Sequence, residues 1–543
     1  MALSSRLRRA VNLGQAANEA LIGLHGAGLL STVPLRLVPD LVRDVYRAGR
    51  TPAALLAVSA ARHPDSLAIR DERTCLSYRA LQQRMEALAA GLAGDFGIGP
   101  GSTVALMCRN HADLIVALFA VARLGADQVL LNTEFPAGQL AQILNQRPYA
   151  LVIHDEEFSA SIKASGYPGR CLLAWQEDAQ GGGIAALVAQ PHPTAARQTT
   201  AGKLVILTSG TTGLPKGANR GKGHPAALGI LGSVLRTLPV RRGDGIVVAP
   251  PVFHGFGLAL SLLGIAIGAP LILRRRFDAA QTLSDITQQN AKLLVAVPVM
   301  LQRLLDAPSA PSHDLSGLSV LCGAAPLPGT LARRWMDAHG DRLYNGYGST
   351  EVGLVALSGP HDQRAAPGCV GRAPAGVTVR IRDGAGRNLP AGEIGHICIG
   401  SPLLIEGYID GGNKSHLAGL MNTGDLGHVD AGGRLHVDGR EDDMIVSGGE
   451  NIYPQEIEEA LAAQADVLDV AVIGVPDAEF GQRLRAFVVR RDQTVSEDTL
   501  RAHLKQQVAR FKIPREFIFV DSLQRNPSGK VLRRVLASQG DAA

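Results

Sequence analysis

A segment rich in glycine and hydroxyl side chains, residues 203–217, has the composition of a phosphate-binding loop. The apolar run 204–207 leads into three glycines, four hydroxyl side chains and Lys216. Glycines let the backbone turn its N–H groups toward an anion, hydroxyls donate hydrogen bonds, and lysine adds positive charge. The candidate phosphate-binding residues before the lysine are Thr208, Ser209, Gly210, Thr211, Thr212 and Gly213. The segment is not a P-loop, because no Gly-Lys-Ser/Thr follows at the required spacing; the alternative is a surface loop without a ligand.

The motif YGSTE at 347–351 combines an aromatic ring, hydroxyls and a carboxylate. The ring of Tyr347 can stack on a purine, Thr350 can bond to a phosphate, and Glu351 can hold a hard cation. Magnesium prefers oxygen ligands and usually bridges a carboxylate and phosphates. The motif therefore suits a site for Mg²⁺ and ATP, although a turn with a solvated glutamate has the same composition.

Three further charged residues stand at turns. Asp425 follows a Thr-Gly pair and can accept from two sugar hydroxyls, Arg440 can donate to the same sugar or a phosphate, and Lys530 ends the sequence NPSGK. A cation close to two anions lets them approach each other, because it offsets their repulsion. Taken singly, each of these residues is typical of a solvated surface charge.

These motifs occur together in one order, and that order resembles the adenylate-forming superfamily. This family includes acyl-CoA synthetases, the adenylation domains of peptide synthetases and firefly luciferase. After TSGTTGLPKG come FHGFG (253–257), CGAAP (322–326), YGSTE (347–351), NTGDL (422–426), GREDDMIVSGGEN (439–451) and NPSGK (526–530). The resemblance covers residues 50 to 537. Serine at position 528 replaces the threonine usual in the family, which is a minor change.

The resemblance implies a role for each matching residue. It places Tyr347 on adenine, Thr350 at the α-phosphate, Glu351 on magnesium, and Asp425 and Arg440 at the ribose. Lys530 would bridge the substrate carboxylate and the α-phosphate. Further residues of the implied site are His254 near the reacting carboxylate, Gly323, Ala324 and Ala325 along adenine and the acyl pocket, and Gly348 and Ser349 beside the nucleotide.

The implied activity is that of an ATP-dependent acid:CoA ligase. A carboxylate attacks the α-phosphate of ATP, giving acyl-AMP and pyrophosphate, and the thiol of CoA then takes the acyl group and releases AMP. The family carries out both steps at one site by rotating its C-terminal domain about a hinge, which here matches Asp442. In the second pose Gly448 and Gly449 would replace Lys530 and leave room for a pantetheine arm. ATP, Mg²⁺ and CoA are the implied cofactors and co-substrates.

Within the family, the sequence is most similar to bacterial fatty-acid–CoA ligases. The similarity rests on 274–278, 297–303 and 443–451, whereas 219–224 departs from the usual pattern. The apolar run 226–235 offers no charge for an amino group, which disfavours amino-acid substrates. We expect a medium- or long-chain fatty acid; the alternatives are another hydrophobic or aromatic acid, a carrier protein as acceptor, a luciferase-like oxygenase, or a non-catalytic nucleotide-binding relative.

The elements that carry these motifs predict an α/β fold. From residue 50 onward, helical and strand-like segments alternate, as in parallel sheets covered by helices. Short strands with turns between 371 and 400 predict a small β subdomain. We expect an N-terminal extension over 1–48, a large adenylate-forming domain over 49–439 and a smaller, mobile α+β domain over 440–543. The apolar stretch 257–273 is interpreted as a buried helix followed by a strand, since three glycines and a proline interrupt it.

Composition limits the remaining functions. The chain has 543 residues, 46% of them apolar, and a net charge of +5, which gives no indication of nucleic-acid binding. Six separated cysteines without a CxxC pair favour a reducing compartment, and we expect a cytoplasmic enzyme. The arginine-bearing extension is expected to be a helical segment on the main domain; peripheral membrane contact and a transit peptide are the alternatives. A homodimer is a further expectation, which the sequence does not specify.

Overall fold

The structure is a computed structural model. It describes residues 22–23, 25–27, 38–49, 51–177, 182–208, 216–219, 227–308, 310, 313–405, 407–408, 414–447, 450–477, 479–491 and 495–539. The helices are α1 (Val38–Ala48), α2 (Ala53–Arg62), α3 (Tyr78–Phe96), α4 (Ala112–Arg123), α5 (Ala137–Gln146), α6 (Ser159–Ala164), α7 (Gly183–Ala189), α8 (Ala227–Thr237), α9 (Gly255–Ile267), α10 (Ala279–Gln288), α11 (Pro298–Leu305), α12 (Gly329–His339), α13 (Pro360–Ala365), α14 (Pro454–Ala462), α15 (Glu497–Gln507) and α16 (Arg533–Gln539).

The strands fall into five sheets. They are β1 (Leu67–Arg70), β2 (Cys75–Ser77), β3 (Thr103–Met107), β4 (Asp127–Leu130), β5 (Leu151–His154), β6 (Cys171–Leu173), β7 (Leu204–Thr208), β8 (Lys216–Asn219), β9 (Ile246–Val248), β10 (Leu271–Leu273), β11 (Leu293–Ala296), β12 (Ser319–Gly323), β13 (Leu343–Ser349), β14 (Gly353–Ser358), β15 (Thr378–Arg382), β16 (Gly395–Gly400), β17 (Gly407–Tyr408), β18 (His416–Leu417), β19 (Leu420–Val429), β20 (Leu435–Arg440), β21 (Ile445–Ser447), β22 (Glu450–Ile452), β23 (Val467–Asp477), β24 (Gly481–Arg490) and β25 (Glu516–Phe519).

Two large sheets with parallel centres form the main body. One has the order β14-β13-β12-β11-β9-β10-β1-β2, and the other β17-β8-β7-β4-β3-β5-β6. The central strands β9, β11 and β12 are buried at every residue. Continuous apolar strands of this kind are typical of parallel sheets covered on both faces. The predicted α/β class is confirmed.

Helix boundaries follow from capping. The hydroxyl of Ser77 accepts the Ala80 N–H at the start of α3, and Gly97 ends the helix with φ 66°. The apolar stretch 257–273 is a buried helix followed by a strand, α9 and β10, as predicted. Gly268, with φ 77°, separates them, because glycine adopts a left-handed conformation without a steric penalty. Among the described residues, no helix is long and apolar enough to cross a membrane.

Two smaller units complete the molecule. An antiparallel sheet, β15-β16-β19-β18 with β20 against β19, is the β subdomain expected near 371–400. At the C-terminus, β23-β24-β25 carries the hairpin β21–β22 and helices α14, α15 and α16, around hydrophobic clusters that contain only residues from 445 onward. The predicted division into parallel sheets, a β subdomain and a smaller α+β unit is therefore observed.

Part of the N-terminal extension lies on the main body. A β-carbon at Gly23 would lie 2.4 Å from the carbonyl oxygen of Gly232 in α8, so the two backbones are in close contact. Ala27 and Ala48 are fully buried in the largest hydrophobic cluster. Residues 1–21 lie outside the described residues, and the extension's contact with a membrane stays a prediction.

Candidate active site

A cavity of about 2500 Å³ lies at the carboxyl ends of the β12 and β13 strands and reaches the C-terminal unit. Ligands of open α/β sheets commonly bind in the crevice at this edge. The cavity wall includes most of the predicted site residues that the structure describes: His254, Ala324, Ala325, Tyr347, Gly348, Ser349, Thr350, Glu351, Asp425, Arg440, Asp442 and Lys530. Residues from five separate motifs and from NPSGK near the far end of the chain thus meet around one space.

The motifs CGAAP and YGSTE lie next to each other because they begin on β12 and β13, which are neighbouring strands. β12 and β13 are parallel, with Gly323 opposite Gly346. A β-carbon at Gly323 would lie 3.0 Å from the Gly346 oxygen and 3.2 Å from the ring of Phe256. Ala324 then turns the chain with φ 65°, a left-handed conformation that costs a non-glycine residue roughly 1–2 kcal/mol. Such strain is most often found at binding and catalytic sites.

Tyr347, Asp425 and Arg440 form one group on the cavity wall, in which Tyr347 is hydrogen-bonded to Asp425 and Arg440 forms an ion pair with it. The Tyr347 hydroxyl donates to Asp425 Oδ2 at 2.5 Å, and Arg440 Nε lies 3.1 Å from Asp425 Oδ1. Burial and the neighbouring carboxylate hold the pKa of Tyr347 well above its ordinary value, so the phenol stays protonated and donates. Asp425 and Arg440 are paired across β19 and β20. The group fixes a carboxylate whose remaining lone pairs can accept from a ligand.

The turn before Asp425 is fixed by local hydrogen bonds. Thr423 Oγ1 accepts the Asp425 N–H at 3.0 Å and donates to the Ile397 oxygen at 3.0 Å. Lys414 Nζ donates to the Thr423 oxygen at 3.1 Å and also lines the cavity. Sequence reasoning missed Lys414 and Phe256 as cavity residues. FHGFG already contained Phe256, whereas nothing in the sequence around Lys414 distinguishes it from a solvated lysine.

His254 is a neutral, buried imidazole next to the cavity. Burial and the nearby charge of Lys530 lower its pKa to about 4. Its Nε2 is buried without a hydrogen-bond partner among the described residues. The ring packs against Phe253 at a centroid distance of 4.6 Å. A buried imidazole nitrogen without a partner is costly in an empty site, so it is available to a ligand group.

Lys530 is held by a tight turn that reaches in from the C-terminal unit. Its N–H donates to Asn526 Oδ1 at 2.9 Å, and the Ser528 hydroxyl donates to the same oxygen at 2.8 Å. Gly529, with φ 82°, contacts Val297, where a β-carbon would lie 3.0 Å from Cγ2. Ser528 thus makes a hydrogen bond within the turn that a threonine hydroxyl could also make.

The surroundings of Lys530 lower its pKa. Burial and the charge of Arg440 lower it, while Asp425, Glu351 and Asp443 oppose that shift. The ammonium therefore stands among the groups predicted to bind ribose and magnesium, although its atoms remain accessible from the open cavity. An anion that enters the cavity can therefore reach the Lys530 ammonium directly.

Glu351 is the candidate metal ligand. It is half-buried on the cavity wall, its N–H donates to Ser349 Oγ at 3.3 Å, and its carbonyl oxygen accepts from Ile405 N at 2.9 Å. A carboxylate facing a wide cavity fits Mg²⁺, which takes oxygen ligands and keeps several waters. By contrast, Cys108, His111 and Asp155 lie together beneath the sheet, but both ring nitrogens of His111 already have protein partners.

Several predicted residues lie outside the described part of the chain. Ser209, Gly210, Thr211, Thr212 and Gly213 belong to this group, as do Gly448 and Gly449. The side chains of Thr208 and Lys216 are not described either; their backbones pair across β7 and β8. The phosphate loop therefore begins and ends at the carboxyl end of β7, and the roles of its residues stay predictions.

One branch of the cavity is apolar. It runs between β7, α8 and α9, and its wall includes Leu204, Ile206, Ile230, Leu231, Val234, Leu238, Leu262 and Leu263. All cavity residues from α8 and α9 are apolar or glycine. Residues 201–203, at the start of β7, also line the cavity.

Comparison with known proteins identifies the family. Residues 56–409 match the AMP-binding enzyme family, and residues 456–530 match the C-terminal domain of the AMP-binding enzymes. The chain is similar to a feruloyl-CoA synthase of an Amycolatopsis species, 34% identical over 87% of this chain and 95% of that protein. It is also similar to the long-chain-fatty-acid–CoA ligase FadD13 of Mycobacterium tuberculosis, 31% identical over 86% of this chain and 94% of that protein.

One similar solved structure has the same fold as this chain and contains bound ATP. The ATP-bound structure of MatB from Rhodopseudomonas palustris superimposes with a TM-score of 0.79 at 28% identity, covering 90% of this chain and 99% of that one. The arrangement of sheets and the C-terminal unit is therefore that of the adenylate-forming enzymes. The chain belongs to the AMP-binding enzyme family of the adenylate-forming superfamily and is an AMP-forming acid–CoA ligase, with ATP and CoA as co-substrates.

Proposed function

We propose that this enzyme activates a medium- or long-chain fatty acid as an acyl-adenylate and transfers the acyl group to CoA. The apolar branch of the cavity is the observation that carries the proposal. Its wall has a helical face of α8, formed by Ala227, Ile230, Leu231 and Val234 at i, i+3, i+4 and i+7, opposite an apolar face of α9. An extended alkyl chain can pack along this apolar wall, which carries no charged side chain from either helix.

The polar end of this branch suits the carboxylate. His254 stands at the N-terminal end of α9, next to the apolar wall, and within electrostatic reach of Lys530. Because its imidazole is neutral, one ring nitrogen can donate a hydrogen bond and the other can accept one. The ring does not need a counter-ion of its own. A fatty acid would therefore place its alkyl chain along α8 and its carboxylate between His254 and Lys530.

We place the nucleotide on the other side of Lys530. Tyr347 offers a ring face on the cavity wall while its hydroxyl is fixed by Asp425, so adenine can stack on it. The Asp425 carboxylate, oriented by Tyr347 and Arg440, accepts from the ribose hydroxyls. The strained Ala324 turn brings backbone close to the base. Thr350 and the loop from Thr208 to Lys216 are assigned to the phosphates.

In the first half-reaction, a carboxylate oxygen bonds to the α-phosphorus and pyrophosphate leaves. Two anions must approach each other, and Lys530 offsets their repulsion at the point where the bond forms. Positioning and charge neutralisation therefore supply the acceleration. Glu351 would hold Mg²⁺, which when bound supplies further positive charge to the phosphates.

In the second half-reaction, the thiol of CoA attacks the acyl carbon and AMP leaves. We assign the exchange between the two steps to rotation of the C-terminal unit about Asp442, which lies in the exposed turn Glu441–Asp443. In this structure the Lys530 turn occupies the cavity, while the hairpin β21–β22 pairs with itself and packs on β24. The tip of that hairpin, 448–449, is proposed to replace Lys530 after rotation.

A panel of acids tests the proposal. Purified enzyme with ATP, Mg²⁺ and CoA would be given acetate, hexanoate, dodecanoate and ferulate, and AMP release would be measured. We expect the highest kcat/KM with dodecanoate and little activity with acetate. Preference for ferulate would show an aromatic acid instead, as the similarity to a feruloyl-CoA synthase suggests. Replacing CoA by a phosphopantetheinylated carrier protein identifies the acceptor, and absence of adenylate with every acid rejects the proposal.

A further inference from the structure

Helix α11 contacts the C-terminal unit at both of its ends. At its N-terminal end, Val297 and Val299 lie against Gly529, the residue before Lys530. At its C-terminal end, Asp306 accepts a hydrogen bond from Arg491 Nη1 at 3.3 Å. The eight residues of α11 separate the two contacts by ~12 Å at 1.5 Å per residue. Two contacts at opposite ends of a rigid helix define an orientation, which a single contact does not.

The position of Asp306 is unfavourable for the helix itself. It is the C-terminal cap of α11, where the helix dipole disfavours a negative charge. Two other groups of the large domain hold this carboxylate: Arg334 Nη2 donates to Oδ1 at 3.2 Å, and the Gln302 amide donates to Oδ2 in a short contact. The carboxylate is thus oriented before any residue of the C-terminal unit reaches it.

Arg491 is oriented in the same way on its own side. Its backbone N–H donates to the Asp466 oxygen at 2.8 Å, and its Nε donates to the Ala465 oxygen at 3.4 Å. Both partners are therefore largely ordered before they meet, which lowers the entropy lost on pairing. An ion pair between prearranged groups is worth more than one between two free side chains.

We propose that Asp306 and Arg491 form a clasp that selects the pose in which Lys530 lies in the active site. Asp306 and Arg491 lie on the wall of the same cavity as Lys530, and we assign Asp306 the role of a positioning residue that acts through the placement of the Lys530 turn. The inference rests on the proposed two-pose function. Rotation about Asp442 moves Arg491 and Gly529 together, so opening the clasp and withdrawing Lys530 are one event.

The clasp favours one half-reaction. Asp306→Asn removes one charge and keeps the shape of the side chain, whereas Arg491→Gln removes one charge and leaves a shorter polar side chain. We expect two- to fivefold slower adenylation, measured as dodecanoate-dependent exchange of pyrophosphate into ATP. The rate from preformed dodecanoyl-AMP and CoA should be unchanged or slightly higher, because the other pose is no longer opposed. The double variant should be no slower than the slower single variant, since both remove the same interaction.

Asp337→Asn is the matched control, because Asp337 pairs with Arg364 on the surface of the large domain. It should leave both half-reactions unchanged. Three outcomes overturn the clasp: single variants that adenylate at the normal rate, equal losses in both half-reactions, or losses that multiply in the double variant. If wild-type enzyme forms no adenylate from dodecanoate or from any other acid in the panel, the proposed function is wrong. This result is distinct from the three outcomes that contradict the clasp alone.

Discussion

The proposed mechanism places two opposite requirements on Lys530. In that proposal, its ammonium must lie close enough to two anions to offset their repulsion, and it must leave the site before the thiol of CoA arrives. The turn 526–530 meets the first requirement through hydrogen bonds within itself, and the second through its location on the C-terminal unit. Burial and the positive charge of Arg440 favour loss of the Lys530 proton and so lower its pKa, and the carboxylates of Asp425 and Glu351 partly offset that effect.

Lys530→Ala should separate the two half-reactions. A charge about 4 Å from the reacting anions is worth up to about 4 kcal/mol at an effective dielectric near 20, or on the order of a thousandfold in rate. We expect adenylation to fall by 10²–10³, whereas acyl-AMP and CoA still give acyl-CoA at nearly the normal rate. Pyrophosphate exchange and single-turnover thioester formation measure the two steps, and equal losses in both would contradict the assignment.

The pH profile tests the same residue by its charge. Because the pKa of Lys530 is lowered, the active, protonated form is present below that pKa and is lost as pH rises through it. The alkaline limb of kcat/KM for adenylation should therefore fall below the ordinary lysine range near 10.4. In Lys530→Arg the limb should move to higher pH, since guanidinium stays charged. An unchanged limb would assign it to another group.

At the scale of single residues, the sequence indicated which residues belong to one site but not their contacts with each other. Tyr347, Asp425 and Arg440 were each predicted to bind the nucleotide, and the structure brings them together through one hydrogen bond and one ion pair. Their mutual contacts were not predictable, because a hydrogen bond between residues 78 positions apart depends on how β13 and β19 pack. Lys414 was missed for the same reason: only the fold brings it to the Asp425 turn.

Helices α8 and α9 determine the shape of the apolar branch. In the chain, α8 follows the predicted phosphate loop, and α9 begins within FHGFG. Gly257 lets α9 begin against the preceding loop, since a β-carbon there would lie 2.5 Å from the Pro251 oxygen. The same segment thus places His254 at the polar end of the branch and apolar residues along it.

Val234→Phe should shorten the acids that the enzyme accepts. Val234 faces the branch one turn beyond Ile230 and Leu231, and a larger ring would fill the space used by the distal part of a long alkyl chain. We expect kcat/KM for dodecanoate to fall by at least about tenfold relative to hexanoate, because overpacking costs roughly 1–3 kcal/mol.

Leu228→Phe is the control for that change. Leu228 lies on α8 as well, but its side chain is 54% exposed and outside the cavity wall. Its chain-length preference should match that of the wild type. If Val234→Phe leaves the preference between dodecanoate and hexanoate unchanged, the alkyl chain does not occupy this branch.

At the scale of elements, periodicity and turns were informative. The helix–strand pair in 257–273 was predicted, and its helix begins two residues before that stretch, at Gly255. Helix ends are set by caps such as Ser77 and Gly97 of α3, which lie outside the apolar pattern. The left-handed Ala324 was not predictable, since alanine gives no signal for positive φ.

The molecule as a whole is organised around the junction between the large domain and the C-terminal unit. The Lys530 turn, helix α11 and the Asp306–Arg491 pair all take part in this junction. Its contacts include the ion pair of Asp306 with Arg491 and the packing of Val297 and Val299 on Gly529. The proposed rotation about Asp442 would break both contacts.

Asp442→Pro should favour the pose seen in this structure. Proline fixes φ near −65°, a value that the turn Glu441–Asp443 can accommodate, although proline also crowds the preceding Glu441 and some loss of thermal stability is expected. Adenylation should be retained within a few-fold, whereas thioester formation should fall at least tenfold. Asp442→Ala, which keeps backbone freedom, is the control and should retain both; a proline variant that forms thioester normally would move the hinge elsewhere.

The sequence by itself determined the residue types, their order along the chain and the alternation of elements, because these depend on local propensity and short-range spacing. It therefore sufficed for the α/β class and the family, and it proposed the residues that bind ATP. Tertiary structure decided which of these residues meet, which helices line the apolar branch, and that Lys530 reaches the cavity together with the Asp306–Arg491 contact. Such features depend on packing between segments hundreds of residues apart, and no local pattern encodes those distances.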